Sequence, residues 1–190
     1  MFKHSVFTLE KETIKFYSRV CLFIYLVVLF WVLFIGFGST DRQTYFINPD
    51  DHFIPFHNSY KMIRRAKVWG YKKEYVYPAL INILGNIALF VPWGLLSPLA
   101  IKKVNTLKRV ALTAALISFS AEVTQYLFSI GIFDTDDIIY NTFGACIGFC
   151  FLFVVSGFFP PLQKFFDQAW QKNFKIYSQL FSGNKQNAAL

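Results

Sequence analysis

Four apolar stretches of about 20 residues each are the feature of this sequence that most restricts its fold. An α-helix rises about 1.5 Å per residue, so about 20 residues cross a hydrocarbon layer of about 30 Å. The chain is 55% hydrophobic, 20% aromatic and only 16% charged, which is unusual for a soluble domain. We therefore predict an all-α membrane protein with four transmembrane helices, at approximately 20–38, 79–101, 110–133 and 138–159.

The segments between and after these helices predict the domain organisation. Residues 1–160 would form one membrane domain, with a long extracytoplasmic loop from Ser39 to Pro78 after helix one. In this loop, apolar and basic residues recur at helical spacing around Met62 and Arg64. That pattern fits a helix lying on anionic headgroups and, equally, an ordinary solvated loop. Residues 161–190 carry an apolar stripe beside lysines, which predicts a C-terminal amphipathic cytoplasmic helix.

The distribution of Lys and Arg predicts the orientation of the chain in the membrane. Twelve of these residues flank the helices on one side, and seven lie on the other side, all in the long loop. Cytoplasmic flanks carry the excess of basic residues in membrane proteins. We therefore predict a multi-pass protein whose N- and C-termini are both cytoplasmic.

Polar residues interrupt the last three apolar stretches, and an acidic turn joins the third to the fourth. The polar residues are Asn82, Asn86, Glu122, Gln125 and Asn141, and the acidic residues of the turn are Asp134, Asp136 and Asp137. In the predicted orientation all of them lie at the outer end of the bundle. Because residues three or four apart share a helix face, three helices can direct these side chains to one point.

These residues have a structural interpretation as well as a functional one. Asn and Gln join membrane helices by hydrogen bonds, and an Asp before a helix caps its N-terminus, which explains one of the three carboxylates. Ser118 and Ser120 are expected to bond their own backbone. Glu122 differs, because a buried acid usually marks a site, although a protonated, structural Glu122 is the alternative.

Three carboxylates within four residues suggest a cation, a basic ligand group or acid/base chemistry. We predict no cofactor, with Mg²⁺ or Ca²⁺ at the Asp134–Asp137 turn as the one ion whose ligand preference fits. Cys146 and Cys150 lie four apart but lack a third ligand for zinc. The net charge of +8 follows from basic membrane flanks, so no nucleic-acid partner is predicted.

Three motifs carry a resemblance to a known family. They are Asn82-Ile-Leu-Gly-Asn86 with Pro92-Trp-Gly94, Ser118-Phe-Ser-Ala-Glu122 with Gln125, and Phe133-Asp134-Thr-Asp136-Asp137 with Asn141 and Gly144. Their order and spacing resemble the VanZ-like family of bacterial membrane proteins, over roughly residues 20–160. Phe53-Ile54-Pro55-Phe56 resembles a further family segment, in which His52 replaces a leading Asn.

The resemblance implies a bacterial cell-membrane protein with an envelope-facing role, in a family named for lowered susceptibility to teicoplanin. Two functions stay open. In the first, Glu122, Asp134, Asp136 and Asp137 are catalytic and modify a lipid-linked cell-wall precursor or another lipidated envelope molecule, which Asn82, Asn86, Gln125 and Asn141 bind. In the second, the same cluster binds or shields an amphiphile such as a lipoglycopeptide without chemistry. Membrane lipids are partners in both, and the sequence leaves the oligomeric state open.

The predicted orientation is testable by labelling. A cysteine placed near Asp136, in a background without the native cysteines, should react with an impermeant thiol reagent added to intact cells. A cysteine near Asn105 should react only after the membrane is permeabilised. The reverse pattern would invert the orientation and move the acidic turn to the cytoplasm.

Overall fold

The computed structural model describes residues 2–36, 54–68, 70, 73–131, 133–159 and 162. All regular structure in these residues is helical, and they contain no strand. The helices are α1 (Phe2–Trp31), which continues as a π-helical turn over Val32–Gly36, α2 (His57–Val68), α3 (Lys73–Ala100), α4 (Leu107–Leu127) and α5 (Thr135–Phe158).

Four of these helices are long and apolar enough to cross a membrane, as predicted. The candidate spans are Lys11–Ile35, Leu80–Ala100, Leu107–Leu127 and Thr135–Phe158. Helix α2 covers the part of the long loop in which the sequence pattern fitted a helix and an ordinary solvated loop equally well. The predicted amphipathic helix over 161–190 lies outside the described residues apart from Leu162.

The third span ends earlier than the predicted boundary at 133, and the backbone shows why. The N–H of Ile130 donates to the carbonyl of Gln125 at 3.0 Å, and that of Ser129 donates to Tyr126 at 3.2 Å. This pair of bonds is the Schellman motif, which ends a helix at a residue with left-handed backbone. Ser129 has a φ of 55°, so it adopts that conformation without being glycine. Helix α4 therefore stops at Leu127.

Glycines bring α3 and α5 into backbone contact. A Cβ atom at Gly144 would overlap the carbonyl oxygen of Ile87, and one at Gly148 would overlap that of Val91. From the other helix, a Cβ atom at Gly94 would overlap the carbonyl of Ala145. The face of α5 that carries Gly144 and Gly148 is therefore the surface that packs on α3, as is usual for small residues in membrane helices.

The remaining helices are joined by buried apolar residues and by a few polar contacts. Phe90, Val110, Ala114 and Ala145 are fully buried at the centre of the bundle. The indole N–H of Trp93 on α3 donates to Thr113 Oγ1 on α4 at 3.1 Å. The hydroxyl of Tyr25 on α1 donates to the carbonyl of Leu89 on α3 at 3.0 Å. Both bonds satisfy polar groups inside the bundle, where an unpaired donor is costly.

The basic residues after α3 and the acidic turn before α5 lie at opposite ends of the bundle. At one end, Arg19 Nε donates to the carbonyl of Ala100, the last residue of α3, at 3.4 Å. The exposed Lys102 and Lys103 follow directly. The acidic turn before α5 lies at the opposite end, because α3 and α5 run in the same direction. A cationic side chain at the C-terminus of α3 also complements the helix dipole.

The close contact between α3 and α5 predicts a large effect of one methyl group. Gly144→Ala should lower the free energy of unfolding by about 3 kcal/mol or more, since the new Cβ meets backbone that cannot move aside. The measurement is thermal unfolding in detergent. Gly85→Ala is the matched control, because a Cβ there meets nothing within 4 Å. It should raise stability by about 1 kcal/mol through helix propensity. Equal melting temperatures for both variants would contradict the packing.

Candidate functional site

The site is organised by the acidic turn that leads into α5. Asp134 has extended backbone, and its Oδ1 accepts a hydrogen bond from the N–H of Asp136 at 2.9 Å. Asp134 is therefore the N-cap of α5, which is the capping role expected for one of the three carboxylates. Its own N–H donates to Glu122 Oε2 on α4 at 2.9 Å. The buried Glu122 carboxyl thus ties the end of α4 to the start of α5.

Asp136 connects α5 to the long loop rather than to another span. Its Oδ1 accepts from the N–H of Phe56, and its Oδ2 accepts from the N–H of Ser59 at 3.0 Å and from Ser59 Oγ at 2.6 Å. These amides lie at the start of α2, where helical N–H groups lack partners within the helix. Asp136 therefore caps α2 from a position 77 residues away from Ser59. The hydroxyl of Tyr140 donates to Ser59 Oγ at 2.8 Å.

The backbone at the beginning of α2 is strained. Phe56 has a φ of 63°, which is a left-handed conformation that side-chain-bearing residues rarely adopt. Such strain persists only where surrounding contacts hold the residue in place. The carboxylate of Asp136, which is only 1% exposed, supplies that contact through the N–H of Phe56. The strain and the cap together fix where α2 starts.

Asp137 contacts the neighbouring helix α3. The side-chain amide of Asn86 donates to Asp137 Oδ1, and that of Asn82 lies at 3.5 Å from the same oxygen. Asn82 and Asn86 are one helical turn apart, so both reach one carboxylate, as their spacing predicted. Asp137 and Glu122 are 6% and 4% exposed. The structure thus brings residues of α3, α4 and α5 together at one end of the bundle.

Gln125 and Asn141 join other parts of the bundle. Gln125 Nε2 donates to the carbonyl of Leu33, beyond α1, at 2.7 Å. Asn141 Nδ2 donates to Ser118 Oγ on α4 at 2.8 Å. Both side chains are buried, and Gln125 Oε1 and Asn141 Oδ1 have no hydrogen-bond partner. Both side chains therefore join parts of the bundle through their amide nitrogen, and the amide oxygen of each accepts no hydrogen bond.

The structure adds residues that sequence reasoning did not select. Ser59, Tyr140 and the carbonyl of Leu33 contact the site residues, and no spacing rule connects Ser59 or Leu33 to the acidic turn. Tyr140 lies four residues after Asp136 and could have been selected by helical spacing. Both Ser118 and Ser120 were expected to bond their own backbone. Ser120 Oγ donates to the carbonyl of Leu116 as expected, whereas Ser118 Oγ accepts a hydrogen bond from Asn141 on α5.

The site offers oxygen ligands but no evident metal geometry. Within the part of the chain that the structure describes, no group of three or more His, Cys, Asp and Glu residues is arranged to hold a metal ion. Both oxygens of Asp136 and the Oδ1 of Asp134 accept protein hydrogen bonds. A Mg²⁺ or Ca²⁺ ion at the turn stays a prediction.

The contact between Ser59 and Asp136 predicts how firmly α2 is held. Ser59→Ala removes one hydrogen bond to Asp136 and one from Tyr140, each worth about 1 kcal/mol. Amide hydrogen exchange in α2 should therefore become about tenfold faster or more, while exchange in the C-terminal half of α5 stays unchanged. Ser120→Ala is the control, because Ser120 bonds only within its own helix. Unchanged exchange in α2 after Ser59→Ala would show that this contact does not hold the helix.

Comparison with known proteins identifies the family. The VanZ/LLP1 family model matches residues 22–156, which include the acidic turn and the polar residues of α3, α4 and α5. Protein VanZ of Enterococcus faecium is 34% identical over 67 residues, which are 35% of this chain and 41% of that relative. No solved structure matches the chain. The match over most of the sequence, together with four helices of membrane-spanning length, shows that the chain is a multi-pass membrane protein of the VanZ/LLP1 family.

Proposed function

We propose that this chain is a cell-envelope protein that binds or acts on a lipid-linked or lipidated envelope molecule at the outer end of its bundle. In doing so it would lower susceptibility to teicoplanin-type glycopeptides. The observation that carries the proposal is the burial of two carboxyl groups, Glu122 and Asp137, where α3, α4 and α5 meet. Ionisable groups inside a membrane bundle are costly and usually belong to a site or a pathway.

The contacts divide the four acidic residues into two pairs. Asp134 and Asp136 use their oxygens to cap α5 and α2, which gives both a positioning role. Glu122 accepts from the N–H of Asp134, and Asp137 accepts from the side-chain amide of Asn86, so both lie among the residues selected from the sequence. We therefore assign Glu122 and Asp137 as the groups that meet the ligand, with Asn82 and Asn86 holding Asp137 in place.

In the catalytic form of the proposal, Glu122 is the proton carrier. A carboxyl group can accept and donate a proton, which suits a general acid or base. Asp137 would orient the reacting group, and the amides of Asn82 and Asn86 would keep its Oδ1 directed at one point. Asp134, whose N–H holds Glu122, would set the position of the proton carrier.

The second candidate function is binding without chemistry, and an aromatic pair beside the site favours it. The rings of Phe119 and Phe133 meet edge to face with centroids 6.1 Å apart. Phe119 lies one turn before Glu122, and Phe133 directly precedes Asp134. An apolar wall next to a few placed polar groups is the usual composition of a pocket for an amphiphile. The acyl chain of a lipoglycopeptide would then lie against these rings.

The orientation with cytoplasmic termini is part of the proposal. It rests on the excess of Lys and Arg at the end where Arg19 meets Ala100. The carboxylate cluster would then face the cell envelope. Ser129, exposed in the turn after α4, gives an accessible position for the cysteine labelling described above.

Removal of single charges should separate the site from the scaffold. Glu122→Gln and Asp137→Asn are close in volume to the native residues, so membrane insertion should be kept. Both variants should abolish protection against teicoplanin, measured as the minimal inhibitory concentration at equal protein level in the membrane. Glu12→Gln is the control, since Glu12 is exposed and paired with Lys15. Full protection by both site variants would contradict the assignment.

Mass profiling of lipids and envelope precursors distinguishes the two functions. Cells that express the wild-type chain should be compared with cells that express Glu122→Gln, with susceptibility measured in parallel. A glutamate-dependent change in one lipid or precursor would support catalysis and name the substrate class. Protection with an unchanged profile would support binding and exclude the catalytic form.

A further inference from the structure

Helix α2 has a composition unlike that of the four spans. Its twelve residues, His57–Val68, include the basic residues Lys61, Arg64, Arg65 and Lys67 and no acidic residue. The side chains of Arg64 and Lys67 are exposed. A short helix with this much positive charge is favoured next to an anionic surface.

Exposed apolar side chains accompany this charge. Tyr60 and Ile63 lie three residues apart on one side of α2 and are 60% and 54% exposed. Arg64 follows Tyr60 by one turn and Lys67 follows Ile63 by one turn, so these two basic residues share the side of the two apolar ones, and Lys61 lies on the adjacent side. Exposed apolar side chains next to long basic ones suit a helix in a membrane interface, because Lys and Arg can extend to the headgroups while their stems cover apolar surface.

The cap by Asp136 sets the depth of α2. Asp136 is the second residue of the candidate span Thr135–Phe158, so it lies where that span enters the membrane. Its carboxylate holds the first amides of α2. With the membrane boundary at the first residue of this span, the N-terminus of α2 lies at the level of the lipid headgroups.

We propose that α2 is an interfacial helix that binds the phosphate headgroups of anionic phospholipids. Arg64, Lys67 and Lys61 contact the phosphates, and Tyr60 and Ile63 insert between the headgroups. Positive side chains near an anionic bilayer each contribute a favourable electrostatic interaction, so together they select anionic over neutral lipid around this end of the bundle. This proposal is independent of the reaction or ligand assigned to the carboxylate cluster.

The test is lipid-selective quenching of a fluorophore on α2. Ile63→Cys, with Cys21, Cys146 and Cys150 replaced by alanine, carries the fluorophore in the full chain reconstituted into nanodiscs of mixed phosphatidylcholine and phosphatidylglycerol. Bromine is placed on the acyl chains of one lipid or of the other. Brominated phosphatidylglycerol should quench more than brominated phosphatidylcholine, and the preference should fall in high salt.

Charge variants connect the preference to named residues. Lys61→Gln, Arg64→Gln and Lys67→Gln should each reduce the preference for phosphatidylglycerol about fivefold, the factor that corresponds to about 1 kcal/mol per basic residue. Lys102→Gln with Lys103→Gln, at the other end of the bundle, should leave it unchanged. Inorganic phosphate in solution should not displace the lipid.

Three results would overturn the proposal. Equal quenching by the two lipids would show that α2 does not select charge. Quenching by aqueous iodide but by neither lipid would show that α2 is a solvated loop helix. Displacement of the anionic lipid by millimolar inorganic phosphate would show a site for free phosphate instead of a membrane surface.

Discussion

Burying carboxylates in an apolar bundle is the constraint on which the rest of this structure depends. A carboxylate removed from water needs donors, and a bundle of apolar helices supplies few from its side chains. The four buried carboxyl groups obtain donors from α2, from α3 and from the backbone of the acidic turn itself. Asp136 accepts from backbone amides of α2, Asp137 accepts from side-chain amides of α3, and Glu122 of α4 accepts from the backbone N–H that Asp134 of the turn supplies. The turn therefore holds three helices in one arrangement.

The glycine contact between α3 and α5 makes this arrangement possible. Asn86 reaches Asp137 only if the two helices approach closely, and Gly144 and Gly148 remove the side chains that would separate them. The contacts share one register, since Ile87 follows Asn86 directly and meets Gly144. The polar contact of Asn86 and the glycine contact of Ile87 therefore lie next to each other along the same pair of helices. A change in the glycine face would also move the amides away from the carboxylate.

Much of this could be predicted from the sequence, because hydropathy and helical spacing are local properties. They gave the four spans, the convergence of Asn82 and Asn86, and the capping role of one aspartate. The contact of Asp136 with Ser59 could not be predicted, since a loop residue 77 positions away has no periodic relation to a span. The end of α4 was missed because Ser129, a serine, takes the left-handed conformation usual for glycine. Gln125 was placed in the cluster, but its partner is a backbone carbonyl that any residue at position 33 would provide.

The position of Asp136 links two surfaces that are otherwise separate. Its carboxylate accepts hydrogen bonds from Phe56 and Ser59 at the start of α2. Its backbone N–H donates to Asp134 in the turn, whose neighbouring residues form the candidate site. Thermodynamic linkage makes any coupling between two such surfaces reciprocal. A ligand that binds the cluster more tightly when α2 is docked must stabilise the docked helix by the same factor. The fraction of sites with ligand bound and the fraction of molecules with α2 docked would then report on the same equilibrium.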